Sequence, residues 1–215
     1  MHKIAPSLWI GSDADFAQLD TYGTEWAVLH AAKIPHHRDF LGYKGNAAPK
    51  DDPEYLVARR GNRMALNLID ALDPKYIGKP MIDAGMAFIA EQLAALKEPN
   101  QLLINCNQGH SRAPTLGMLY IAPTLPEAFE AAEAEYKKLC PSYAPATGIR
   151  EFARVNWAAY RGRNSETSDP DLDKARELVE RFANDLIAEP EKAVSNLISS
   201  IARALKDAGA NASEP

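Results

Sequence analysis

Apolar residues along the chain fall into short blocks of changing period, and these blocks predict an alternation of buried strands and amphipathic helices. Leu8-Trp9-Ile10 followed by Gly11-Ser12 reads as a short strand and turn, with Ser12 placed to cap a helix over 13–22. Residues 26–31 form a compact apolar run of buried-strand length. Residues 35–62 show little periodicity and contain the cluster Pro49-Lys50-Asp51-Asp52-Pro53, so a long surface excursion is expected there. Loops of that length are often functional. A further strand is predicted over 64–69, and a helix over 80–97 through Met81, Ala84, Phe88, Ile89, Leu93 and Leu96. Gln101-Leu102-Leu103-Ile104-Asn105 then makes a short buried strand running into Cys106. The helix expected over 113–121 accepts Pro114 in its first turn, where a missing N–H costs little. Two more helices are predicted over 126–139 and 147–160.

The pattern then breaks. Residues 163–170 have the polar composition of a linker. Beyond them Leu172, Ala175, Leu178, Val179, Phe182 and Leu186 mark one amphipathic helix, and Val194, Leu197, Ile198, Ile201 and Leu205 mark a second. With Pro190 at the first turn of the second, a helical hairpin over 171–208 is expected, followed by a disordered tail over 209–215. The hairpin has two apolar faces to cover, either against the first domain or in a homo-oligomer. The fold class expected is therefore α/β: a domain over 1–162 with a central mixed sheet flanked by helices, plus the C-terminal helical hairpin.

Composition narrows the function classes. At 215 residues and 46% hydrophobic, the chain can fill one substantial core and an appendage. The net charge of -5 belongs to the tail: from Asn164 onward there are 11 acidic and 6 basic residues, leaving 18 of each before it. A nucleic-acid partner is not expected, because such proteins carry a broad basic excess. Two cysteines exclude a disulfide framework, no apolar run reaches the length of a membrane span, and the first residues lack a secretory apolar core. A cytoplasmic protein with no membrane partner is expected, in which a free thiol survives.

That thiol is central to the chemistry. In Cys106-Asn107-Gln108-Gly109-His110-Ser111-Arg112, five residues separate a cysteine from an arginine, with a glycine in the middle. A short loop from a buried strand to a helix N-terminus turns successive backbone N–H groups inward, and the helix dipole adds roughly half a positive charge. The loop residues Asn107, Gln108, Gly109, His110, Ser111 and Arg112 would together bind a phosphate. The same field favours a Cys106 thiolate. Gly109 lets the backbone approach the anion, and Arg112 presents a planar fork to two of its oxygens. The plain alternative, a structural cysteine that happens to precede an arginine, also has to explain the central glycine, whose background frequency is about 7%.

Residues from about 5 to 160 resemble the dual-specificity branch of the protein tyrosine phosphatase superfamily. The likeness rests on Leu8-Trp9-Ile10-Gly11-Ser12, Asn67-Leu68-Ile69-Asp70, the Cys106–Arg112 loop with Pro114-Thr115-Leu116, and the helix entry from Pro141 to Phe152. Arg59-Arg60-Gly61-Asn62 gives it the style of small phosphatase-like proteins of bacteriophages and prophages. The resemblance implies a phosphate-monoester hydrolase with Cys106 as nucleophile, Arg112 as clamp and Asp70 as general acid. Asp73, in Asp70-Ala71-Leu72-Asp73-Pro74, is the rival acid. No metal or other cofactor is implied, and the partner is a phosphorylated substrate or ligand.

Two positions depart from the family pattern. Asn105 stands where a histidine usually precedes the nucleophile, and Ala113 stands where a serine or threonine usually follows the arginine, so turnover of the cysteinyl-phosphate is expected to suffer. This keeps open a second reading, a phosphate cradle that sequesters a phosphorylated metabolite or nucleotide signal with little catalysis. His36, His37, Arg38 and Arg63 are candidate substrate-rim groups, with Lys33, Arg59 and Arg60 on the same terms. Cys140 reads as a buried filler.

Overall fold

A computed structural model describes residues 1–162 apart from Thr24, Leu96, Glu98 and Pro99. The expected linker, hairpin and tail lie outside the described residues. The main elements in chain order are β1 (His2–Ala5), β2 (Leu8–Ser12), α1 (Asp13–Phe16), β3 (Trp26–His30), α2 (Arg38–Leu41), β4 (Val57–Arg60), β5 (Arg63–Leu66), α3 (Lys79–Ala95), β6 (Gln101–Cys106), α4 (Arg112–Tyr120), α5 (Phe129–Leu139) and α6 (Thr147–Arg161). Six strands form one mixed sheet in the order β1-β2-β6-β3-β5-β4. The inner four run parallel, and β1 and β4 add antiparallel edges. This is the mixed α/β architecture that the sequence pattern predicts.

The two faces of the sheet are buried unequally. On one, α3 packs on β3, β5 and β6, and α4 on β2 and β6, around a core that includes Leu8, Ile10, Leu29, Leu66, Phe88, Ile104 and Leu116. The other carries a smaller cluster of Leu19, Val28 and Leu103 with Trp9, Phe16 and Trp26 packed on it. Because β6 lies between β2 and β3 with both faces covered, its residues from Leu102 to Cys106 are all buried, which is why Leu102-Leu103-Ile104 reads as a continuous apolar run.

Three details differ from the sequence pattern. The helix expected over 13–22 is split into α1 and a tighter turn at Leu19–Tyr22. Its start is as the capping signal suggests: the Asp15 N–H donates to Ser12 Oγ at 3.2 Å, and the Ser12 N–H donates to Asp15 Oδ2 at 2.8 Å. The excursion expected over 35–62 contains α2 and the edge strand β4, and residues 42–56 and the tight turn at 61–62 are its turns and irregular chain. β1 carries no readable pattern, because Ile4 is its only buried residue.

Candidate active site

β6 delivers Cys106 to the carboxyl end of the parallel strands, level with Ser12 of β2. The chain then turns through residues 107–111 and enters α4 at Arg112. The turn rests on β2: Gly109 has φ 71°, and a Cβ there would lie 2.9 Å from the carbonyl carbon and oxygen of Gly11. No other residue combines that backbone angle with that contact. None of the backbone N–H groups of residues 107–112 meets an acceptor among the described residues. Donors so placed, at the mouth of a helix, make a concave anion site.

The Cys106 thiol is free and 2% exposed. Arg112 is also buried, and its guanidinium is held on two sides. One terminal nitrogen donates to Leu68 O at 3.2 Å, and the other donates to Asn107 Oδ1 at 2.6 Å. Its Nε has no hydrogen-bond partner. A buried guanidinium N–H left open beside a cleft is costly without an anion to receive it.

That cleft has a volume of about 470 Å³ and is lined by Cys106, the loop side chains Asn107, Gln108, His110, Ser111 and Arg112, by Asp70, and by an apolar wall of Ala144, Pro145 and Ala146. Asp70 Oδ1 accepts from Ser111 Oγ at 2.6 Å, and Asp70 Oδ2 lies 3.9 Å from Arg112 Nε. Asp73 is elsewhere: it accepts from the Lys75 N–H at 3.0 Å and pairs with the Lys75 ammonium at 2.9 Å, capping the turn Pro74–Tyr76. The lysine holds its carboxyl below the usual range. Of the two acids weighed in the sequence, Asp70 alone lines the cleft.

Hydroxyls near the Cys106 loop are committed. Ser111 Oγ donates to Asp70 and accepts from the Ala146 N–H at 2.9 Å. Thr115 Oγ1 donates to Ser111 O at 2.8 Å. Ala113, buried in the first turn of α4, offers none.

Asn105, beneath the loop, joins a buried polar network that sequence reasoning did not find. Its Oδ1 faces His30 Nδ1 at 2.8 Å, and its Nδ2 donates to Asp13 Oδ1 at 2.8 Å. His36 Nε2 reaches the same Asp13 oxygen at 2.7 Å. Asp13 Oδ2 accepts from Asn107 Nδ2 at 2.9 Å, so this carboxylate reaches Arg112 through Asn107. The rings of His30 and His36 stack at 3.9 Å. Burial, then the neighbouring His36, pulls the His30 pKa down to about 3, against the Asn105 hydrogen bond. His30 is therefore neutral and donates from Nδ1 to Asn105, a tautomer assigned from the network. The signal for Asp13 lay in a helix cap, where an acidic residue is unremarkable.

The rim expectations need correction. His37 is fully buried, with Nε2 3.0 Å from Glu54 O, and His36 is turned inward onto Asp13, so neither lines the cleft. Arg63 opens β5 level with Val28 and Leu103. That is about 10 Å short of the loop at ~3.3 Å per residue, and its guanidinium lies over Phe16 at 5.2 Å. Arg38 lies 3.6 Å from Asp39, Arg60 pairs with Glu54 at 2.7 Å, and Arg59 hydrogen-bonds Glu91. Among the described residues, Arg112 is the only arginine or lysine lining the cleft, joined there by His110.

Cys140 is buried, and burial raises its thiol pKa. No helix among the described residues is long and apolar enough to cross a membrane.

A scan of the sequence against protein-family models finds no match, and a search of curated proteins finds none. Solved structures do match. The chain is similar to DUSP15 at 16% identity and a TM-score of 0.51, covering 78% of this chain and 96% of that one. It is similar to the PTP-2 phosphatase of Cydia pomonella at 15% identity and a TM-score of 0.51, covering 72% and 88%. The likeness to bacteriophage proteins rests on the sequence resemblance alone. With the sheet order, the strand–loop–helix at Cys106 and these matches together, the chain has the fold of the dual-specificity and protein tyrosine phosphatases.

Proposed function

We propose that the chain is a cysteine-dependent phosphatase that hydrolyses a phosphate monoester through a cysteinyl-phosphate, with a slow second step. The observation that carries this reading is the set of unpaired N–H groups over residues 107–112, closing around Cys106 beside the open Nε of Arg112. In the first step the Cys106 thiolate attacks phosphorus, the S–P bond forms, and the ester P–O bond breaks. The leaving oxygen takes the proton of Asp70. Charge on the equatorial oxygens meets the loop N–H groups and the Arg112 fork. In the second step water attacks phosphorus, gives its proton to Asp70, and the thiolate departs.

Departure of that thiolate is the weak point. Ala113 offers it no hydroxyl, and Ser111 and Thr115 donate elsewhere. The test is product release from an aryl phosphate by wild type and Cys106→Ser, with the early burst resolved from the steady rate. A burst and a slow steady rate, both lost in Cys106→Ser, are expected. Retained turnover in that variant would refute the reading. Saturable phosphate binding without any product would favour the sequestering cradle instead.

A further inference from the structure

The segment that carries Asp70 has little to hold it in place. Ala71 is buried but Leu72 is 79% exposed and Ile69 40% exposed, and no strand pairing includes them. Among the described residues, the one hydrogen bond to the backbone of residues 70–72 comes from Thr147, whose Oγ1 donates to Leu72 O at 2.9 Å. The next residue, Gly148, is buried against the same segment. A Cβ on it would stand 2.3 Å from Ala71 O and 2.9 Å from Leu72 C, so the segment occupies the space any side chain would need. The residue before, Ala146, donates its N–H to Ser111 Oγ, which in turn donates to Asp70. Three consecutive residues at the entry to α6 thus fix the acid segment from its side chain, its backbone and its packing.

We propose that Thr147 and Gly148 are positioning residues that hold the Asp70 carboxyl over the leaving-group side of the cleft. Their role is exercised through Asp70, and in the burst phase that means protonation of the leaving oxygen. The inference rests on the reading of Asp70 as general acid. Positioned acids contribute ~10²–10⁴-fold, and that contribution matters most when the leaving group is a poor one. A displaced Asp70 therefore leaves attack by Cys106 and binding by the loop as they were, and makes the burst rate steeper in leaving-group pKa.

The experiment measures burst rates with a series of aryl phosphates running from nitrophenol to unsubstituted phenol, for wild type, Asp70→Asn, Thr147→Val, Thr147→Ser and Gly148→Ala. Vanadate affinity and the backbone ¹⁵N order parameters of residues 70–72 are measured alongside. Thr147→Val is expected to slow the phenyl ester about 10-fold and Gly148→Ala about 100-fold, with the nitrophenyl ester and vanadate binding changed less than about 3-fold. Thr147→Ser should restore wild-type behaviour. Backbone ¹⁵N order parameters at residues 70–72 should fall in Thr147→Val, a readout that needs no catalysis and holds if Gly148→Ala fails to fold. A uniform slowing across the series, or unaltered order parameters, overturns the proposal. If Asp70→Asn steepens the dependence and the α6 variants do not, the positioning inference alone falls. If Asp70→Asn leaves the slope unchanged, the acid assignment falls with it.

Discussion

His30 provides a quantitative test of the buried network beneath the loop. Its ring is 1% exposed, stacked on His36 and hydrogen-bonded to Asn105, and its pKa falls from 6.5 to about 3. Below pH ~6.5 the unfolded chain binds a proton at His30 that the folded chain refuses until about 3. Stability therefore declines as pH falls through this window, at up to about 1.36 kcal/mol per unit. Between pH 7 and pH 5 the loss assigned to His30 is about 2 kcal/mol. The assay is urea unfolding at pH 7, 6 and 5 for wild type and His30→Gln, which keeps a side-chain donor for Asn105 but cannot titrate. Groups outside the His30–His36–Asn105–Asp13 network change both proteins alike, so the difference reports on that network. The variant is expected to be the less stable at pH 7 and to recover about 2 kcal/mol relative to wild type at pH 5. Parallel pH profiles, or a His30 imidazole seen by NMR to titrate near 6.5, would refute the reasoning.

Ala113→Ser supplies the hydroxyl that the second step lacks and should raise the steady rate of aryl phosphate turnover about 10-fold, on the low side of what a positioned proton donor contributes, without changing the burst. Gly109→Ala pushes a Cβ into the Gly11 carbonyl at a φ of 71°. It should lower unfolding free energy by about 2 kcal/mol, measured in urea, and weaken vanadate binding in parallel. Arg112→Lys loses the planar fork and should weaken vanadate binding by about 10²-fold, read by competition in the burst assay.

What was legible in the sequence follows the range of the forces involved. The stretch from Gln101 through α4 is a local event, a buried strand giving way to a helix within a few residues, and its apolar run and the Cys106–Arg112 spacing show it directly. The helices α3 and α6 were read to within two residues because their apolar periods are long. β1 and β4 were missed because edge strands bury few side chains: Ala58 is the one buried residue of β4, and its two arginines face solvent. The basic group from Lys33 to Arg38 looked like a solvated rim, yet His36 and His37 are turned inward by partners that sequence distance hides, Asp13 and Glu54. The same holds for Gly148, a lone glycine at a helix start whose importance appears only when Ala71 is seen against it.

The contact between Gly11 and Gly109 also sets an order of assembly. The floor under the anion site comes from the second strand of the chain and its wall from the sixth, and Asn107 meets Asp13 across 94 positions. Closing so long a loop is an entropic step that local helix formation does not require. A nascent chain can therefore contain α3 and much of the sheet and still have nowhere to hold a phosphate. Under the proposed function, phosphate affinity becomes a report on completed folding: a truncation that spares residues 106–112 but removes β2 would abolish oxyanion binding while much of the helical content remained.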